Sequence, residues 1–186
     1  MKYLALGDSY TIGTGASDPS HAWPSIIAER LGAEVTNPAV NGYTTLDLIR
    51  DELSYLERID PDVVSVLIGV NDLVQGRTVQ DYRESLGTIY DALSGRRVVA
   101  VSIPTWSYVP AAADFGGADR VDRLTRLFNE MARDEATPRG FTWVDLGEAS
   151  TSGIGTDGWI ASDELHPGDA QYAAWAETIW AKWPRP

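Results

Sequence analysis

Apolar positions along the chain follow two rhythms. The runs Tyr3 to Leu6, Glu34 to Asn37, Val63 to Ile68, Arg97 to Ile103 and Thr142 to Leu146 are short, rich in β-branched or apolar residues and bounded by turn formers, so they predict strands. Between them apolar residues recur at helical spacing: Leu46, Ile49, Leu53 and Leu56, then Tyr82, Leu86, Ile89 and Leu93, then Val121, Leu124, Phe128 and Met131. Further helices are predicted from Pro24 to Leu31 and from Pro167 to Trp183, the second with Tyr172, Trp175 and Ile179 on one face, where they read as core. Strands alternating with helices imply βαβ units and a mostly parallel sheet covered on both faces. Two segments break the alternation, Pro104 to Ala118 and Gly147 to Ser162. Both follow strand candidates, where loops leaving the carboxyl ends of parallel strands line a ligand crevice.

Composition narrows the class. A chain of 186 residues with no internal repeat and no compositional shift reads as one domain over residues 1–186, because separate cores need roughly 100 residues each. No apolar run approaches the roughly 20 residues of a membrane span. The apolar part of Met1 to Leu6 is too short for a signal peptide, so a cytoplasmic location is expected. With no cysteine, disulfides and thiolate chemistry are excluded. A net charge of -12 without a basic patch argues against nucleic acid as a partner. The 27 acidic residues are scattered, and two histidines without ligand spacing are poor material for a metal site, so no metal is expected.

Four short segments carry potential chemistry. Gly7-Asp8-Ser9-Tyr10-Thr11-Ile12-Gly13 follows the first strand and places a serine at its carboxyl end. A tight glycine turn would look much the same. In Asp163-Glu164-Leu165-His166-Pro167, an aspartate three residues before a histidine can bind the imidazole Nδ1–H and leave Nε2 free as a base. The other histidine, His21, has no carboxylate at similar reach in the sequence and reads as exposed. Gly69-Val70-Asn71-Asp72 ends the most apolar strand and offers an asparagine amide to the crevice, where it could stabilise a negative oxygen. Asn41-Gly42, after the second strand, brings a backbone N–H that glycine lets approach closely, or is simply a turn.

Together the blocks Gly7-Asp8-Ser9-Tyr10, Gly42, Gly69-Val70-Asn71-Asp72 and Asp163-x-x-His166-Pro167 resemble the SGNH hydrolase superfamily, also called GDSL esterases and lipases, in order and spacing over essentially the whole chain. The resemblance implies a flavodoxin-like three-layer α/β/α sandwich with a five-stranded parallel sheet. It implies Ser9 as nucleophile, His166 as base and Asp163 as the acid that orients it. The oxyanion hole would be the Ser9 N–H, the Gly42 N–H and the Asn71 side chain, with Asp8 bracing the turn and no cofactor required. The Gly-x-Ser-x-Gly elbow of the other large esterase fold is absent.

Two other functions would use parts of the same pattern. A phosphate- or nucleotide-binding module would use Gly7 to Gly15 as an anion cradle. The third small residue of a dinucleotide fingerprint is missing, though, and no Gly-Lys-Ser/Thr follows. An acyltransferase would use the same residues with an alcohol in place of water. The expected substrate is a small-molecule ester with a short acyl group, including acetylated carbohydrates. Trp106, Tyr108, Phe115 and Trp159, in the two long loops, are candidates for an apolar or sugar-stacking wall.

Overall fold

The computed structural model describes residues 1–184. In chain order the elements are β1 (Lys2–Gly7), α1 (Ser9–Ile12), α2 (Trp23–Leu31), β2 (Glu34–Thr36), α3 (Thr45–Asp47), a π turn (Leu48–Glu52), α4 (Tyr55–Ile59), β3 (Val63–Leu67), α5 (Val70–Val74), α6 (Val79–Ala92), β4 (Val98–Val101), α7 (Ala118–Ala136), β5 (Thr142–Val144) and α8 (Asp169–Lys182). Short 3-10 turns at Pro19–His21, Pro110–Phe115 and Thr137–Arg139 lie between them.

The five strands form one all-parallel sheet in the order β2-β1-β3-β4-β5, the flavodoxin-like order. From β1 the chain steps to β2 at one edge, then crosses back to β3 and proceeds to the opposite edge. Right-handed crossovers therefore place α2 on one face and α3 to α7 on the other. α8 returns to pack on α2, while α6 packs on α7, giving three layers. β1 and β3 are central and buried along almost their whole length, as continuous apolar runs in a two-sided sheet must be. Trp23, Tyr172 and Trp175 fill one face, and Tyr82, Leu86 and Phe128 the other. Burial of each such side chain contributes about 1.5–3 kcal/mol. The direction of the connections reverses between β1 and β3, so their carboxyl ends open the crevice where this fold binds ligands.

Element boundaries differ from the sequence reading where backbone geometry intervenes. The single helix predicted through Leu46 and Leu56 is divided: the π turn inserts a residue and shifts the buried face, so Leu48 and Glu52 are buried while Leu46 is 53% exposed. The last helix begins at Asp169 rather than Pro167, because Gly168 serves as its N-cap. The first and third strands lead into the short helices α1 and α5.

Gly7 is where β1 turns into α1. It has φ +156, and a Cβ there would stand 2.3 Å from the Leu67 carbonyl and 2.2 Å from Thr11 Oγ1. Since the Leu67 carbonyl belongs to the central strand β3, relaxation is blocked. Gly7→Ala is expected to cost about 3 kcal/mol of folding stability, measured by denaturant unfolding. A loss below about 1 kcal/mol would show that the turn is softer than its contacts imply.

Candidate active site

Ser9 opens α1, is 6% exposed and follows Asp8, which acts as N-cap: Asp8 Oδ1 accepts the Tyr10 N–H at 3.0 Å. Capping satisfies a helix-end donor and also fixes the turn that presents the serine. Asp8 is fully buried, and desolvation pushes its carboxyl up to about 7 against the opposing Tyr10 N–H, with the charge of Asp72 adding to the rise. The Asp8 carboxyl therefore braces the turn through its hydrogen bonds.

Asn71 lies in the first turn of α5, after Gly69, whose φ of +131 and contact with the Tyr82 ring leave no room for a side chain. Its Nδ2 donates to the Tyr43 carbonyl at 2.9 Å and lies 3.5 Å from Asp8 Oδ2. Asn71 thus ties the loop that contains Gly42 to the nucleophile turn. A second tie runs beside it. Buried Asp72 accepts the Thr45 N–H at 2.9 Å and the Thr45 hydroxyl at 2.6 Å, and pairs with Arg77 at 2.8 Å. Gly42 itself sits in the adjoining turn with φ +82 and is exposed.

His166 comes from the far end of the chain, on the turn that precedes α8. Its Nδ1 is 2.6 Å from Asp163 Oδ2, while Asp163 Oδ1 accepts the N–H groups of Leu165 and His166 at 3.0 and 2.9 Å. Burial acts to raise the Asp163 carboxyl. The hydrogen bonds from the His166 ring and from these two amides outweigh it and hold the carboxyl below the usual range. The turn is closed by Ala161 N–H donating to the His166 carbonyl at 2.8 Å, and Glu164 adopts a left-handed φ of 60 within it. Gly15 packs so closely that a Cβ would meet the Pro167 carbonyl at 2.5 Å and His166 Cβ at 3.0 Å.

Ser9, Asn71 and His166 line one cavity of about 60 Å³, together with Tyr10, Val70, Val74, Trp106, Phe115 and Leu165. With Nδ1 engaged by Asp163, Nε2 is the ring nitrogen free to act in it. Trp106 is held by its Nε1, which donates to Thr125 Oγ1 at 3.1 Å, and meets Phe115 edge-on at 5.5 Å. Tyr108 and Trp159, read from sequence as part of the same wall, do not line this cavity. The Tyr108 hydroxyl donates to the Ser150 carbonyl at 2.7 Å and accepts from Trp159 Nε1 at 3.1 Å and from Gln171. Trp159 is 5% exposed over Gly153. Their polar tips cross-link the two long loops, a role that burial of amphipathic aromatics favours. Tyr10, Val70, Val74 and Leu165 were not anticipated, although each stands beside a motif residue or a helical turn from one. A wider polar groove of about 340 Å³ between α7 and the end of β5 contains none of the motif residues.

The sequence expectation for His21 needs correction. Its Nδ1 lies 2.9 Å from Asp169 Oδ2 and 2.9 Å from Ser17 Oγ, so a carboxylate is within reach, supplied by α8 from 148 positions away. It is exposed, and Ser17 lies on the carboxylate side of the ring, sharing Nδ1 and Asp169 Oδ2, so among the described residues no serine hydroxyl bonds the nitrogen, Nε2, that would act as base.

The first strand of the parallel sheet thus ends at a buried serine that shares a cavity with an aspartate-bound histidine. The chain belongs to the GDSL-like lipase/acylhydrolase family, whose model matches residues 5–174, and so is an ester hydrolase. Among solved structures it is similar to a lipolytic G-D-S-L family protein from Veillonella parvula, with TM-score 0.81, 18% identity and 100% of each chain covered. It is also similar to phospholipase A1 from Streptomyces albidoflavus, with TM-score 0.77, 20% identity, and 97% of this chain and 98% of that one covered. The acetylxylan esterase of Geobacillus stearothermophilus aligns with TM-score 0.75, 19% identity, and 100% of this chain and 94% of that one covered. No curated protein matches the chain in sequence. Among the described residues no helix is long and apolar enough to cross a membrane.

Proposed function

We propose that residues 1–186 form a single serine hydrolase domain that cleaves short-acyl carboxylic esters through Ser9, His166 and Asp163. The observation that carries this reading is the common cavity of Ser9 and His166, with His166 Nδ1 held 2.6 Å from Asp163. Ser9 Oγ attacks the ester carbonyl carbon while its proton passes to His166 Nε2. The carbonyl oxygen becomes negative and is stabilised by the Ser9 and Gly42 N–H groups and by Asn71 Nδ2. Collapse breaks the bond to the alcohol, which leaves with the proton from His166. Water then attacks the acyl-Ser9 ester by the same route, returning the proton to Ser9 and releasing the acid.

A cavity of about 60 Å³ is far below the roughly 300–1,000 Å³ of sites for drug-sized ligands, and Val70, Val74, Trp106, Phe115 and Leu165 make most of its wall apolar. This favours an acetyl or similarly small acyl group, including the acetyl groups of carbohydrates. The test is a series of p-nitrophenyl esters of increasing acyl length, run beside acetylated sugars. kcat/KM is expected to be greatest for the shortest acyl groups and to fall at least roughly tenfold by octanoate. A preference for octanoate would overturn the short-acyl reading. An organophosphonate should label one residue per chain, and recovery of the label anywhere other than Ser9 would overturn the nucleophile assignment.

A further inference from the structure

Glu52 has no part in the chemistry above, yet it touches the backbone that launches the nucleophile. It ends the π turn, is 1% exposed, and its Oε2 accepts the Gly7 N–H at 2.9 Å. Its Oε1 is buried with no hydrogen-bond partner among the described residues. β2 explains why a side chain is needed there. That strand stops at Thr36, opposite Leu4, so the upper half of β1 has a strand partner only on the β3 side. The Gly7 amide has outrun its neighbour on the other side, and a buried donor requires a substitute acceptor. The π turn supplies it, rotating Glu52 into the core where a regular helix would have continued an apolar stripe.

We propose that Glu52 is a positioning residue of the nucleophile turn: its carboxyl holds the Gly7 amide at the end of β1, where β2 has no acceptor left, and so fixes the backbone that presents Ser9 two residues on. This rests on the reading of Ser9 as nucleophile. Burial pushes the Glu52 carboxyl up to about 8 against the opposing Gly7 N–H, and the charges of Asp8 on the turn and Asp51 on its own element push the same way. Arg50, two residues before Glu52, is engaged elsewhere, by Asp47 and Asp51. Neutrality suits the chemistry. An uncharged acid anchors the turn without opposing the negative charge that forms on the substrate oxygen at the Ser9 amide, whereas a carboxylate beneath it would oppose that charge.

The test is kcat and KM for p-nitrophenyl acetate as a function of pH in the wild type, Glu52→Gln, Glu52→Leu and Ser9→Ala, with folding followed by circular dichroism. Glu52→Leu is expected to lose about tenfold or more in kcat with KM within about twofold, while Glu52→Gln, which keeps an acceptor oxygen, recovers most of the rate. As pH rises through about 8, wild-type kcat should fall as Glu52 ionises, and the fall should be smaller in Glu52→Gln, where Asp8, which ionises at about 7, is the carboxyl of the turn that still titrates. A folded Glu52→Leu with wild-type kcat, or a Glu52→Gln profile with the same alkaline fall, would overturn the proposal. Should Glu52→Leu not fold, the Glu52→Gln profile decides alone. Lost activity in Ser9→Ala beside indifferent Glu52 variants removes the positioning role only, whereas an active Ser9→Ala removes the nucleophile reading beneath it.

Discussion

Replacing Ser9 with alanine is expected to lower turnover of p-nitrophenyl acetate by about 10³-fold or more while leaving the fold intact. The two halves of this expectation have separate physical grounds. Turnover should collapse because, without Oγ, the imidazole has no hydroxyl to deprotonate, so any residual rate comes from activated water and the oxyanion donors. Folding should survive because the bonds that build the turn do not use that oxygen. The Asp8 cap on the Tyr10 N–H, the Glu52 bond to the Gly7 N–H and the Gly13 N–H to the Ser9 carbonyl are all backbone or neighbouring side-chain contacts. Steady-state rates on the purified variant, with an unfolding curve matching the wild type, check both halves. Near-normal turnover would require another nucleophile.

Asn71→Ala should lower kcat by about 10² to 10³ with KM changed little, because its Nδ2 is expected to bind the substrate oxygen most strongly once that oxygen has become negative. The structure adds a reason for the effect to lie in the upper part of that range. The same amide nitrogen donates to the Tyr43 carbonyl and approaches Asp8, so the substitution also unties the Gly42 loop from the turn that carries Ser9. Both consequences remove stabilisation that matters most in the transition state. A rise in KM with unchanged kcat would instead place Asn71 in ground-state substrate binding.

Much of this protein was legible in the chain. Alternation of apolar strands and helical stripes specified the parallel sheet and its two covered faces, because periods of about 2 and 3.6 residues are direct consequences of backbone geometry. The Asp163–His166 pair was legible for a similar reason, since its hydrogen bond closes over three residues, whereas Ser9 and Asn71 read as turn residues until the family resemblance of their blocks singled them out.

What the chain alone did not disclose depends on contacts between distant segments. The sequence showed His21 as a histidine without a carboxylate, and Asp169 reaches it only because α8 packs on α2. Tyr108 and Trp159 looked like Trp106 and Phe115, aromatic residues in loops, and only the positions of Ser150 and Gln171 made them cross-links while the other two faced the cavity. In the sequence Glu52 is one of 27 scattered acidic residues. Its burial follows from a one-residue π insertion and from a neighbouring strand too short to satisfy Gly7, and neither is written in side-chain periodicity. Local order is encoded by neighbours along the chain, whereas the partner of each polar group is set by where the folded sheet leaves donors and acceptors unmatched.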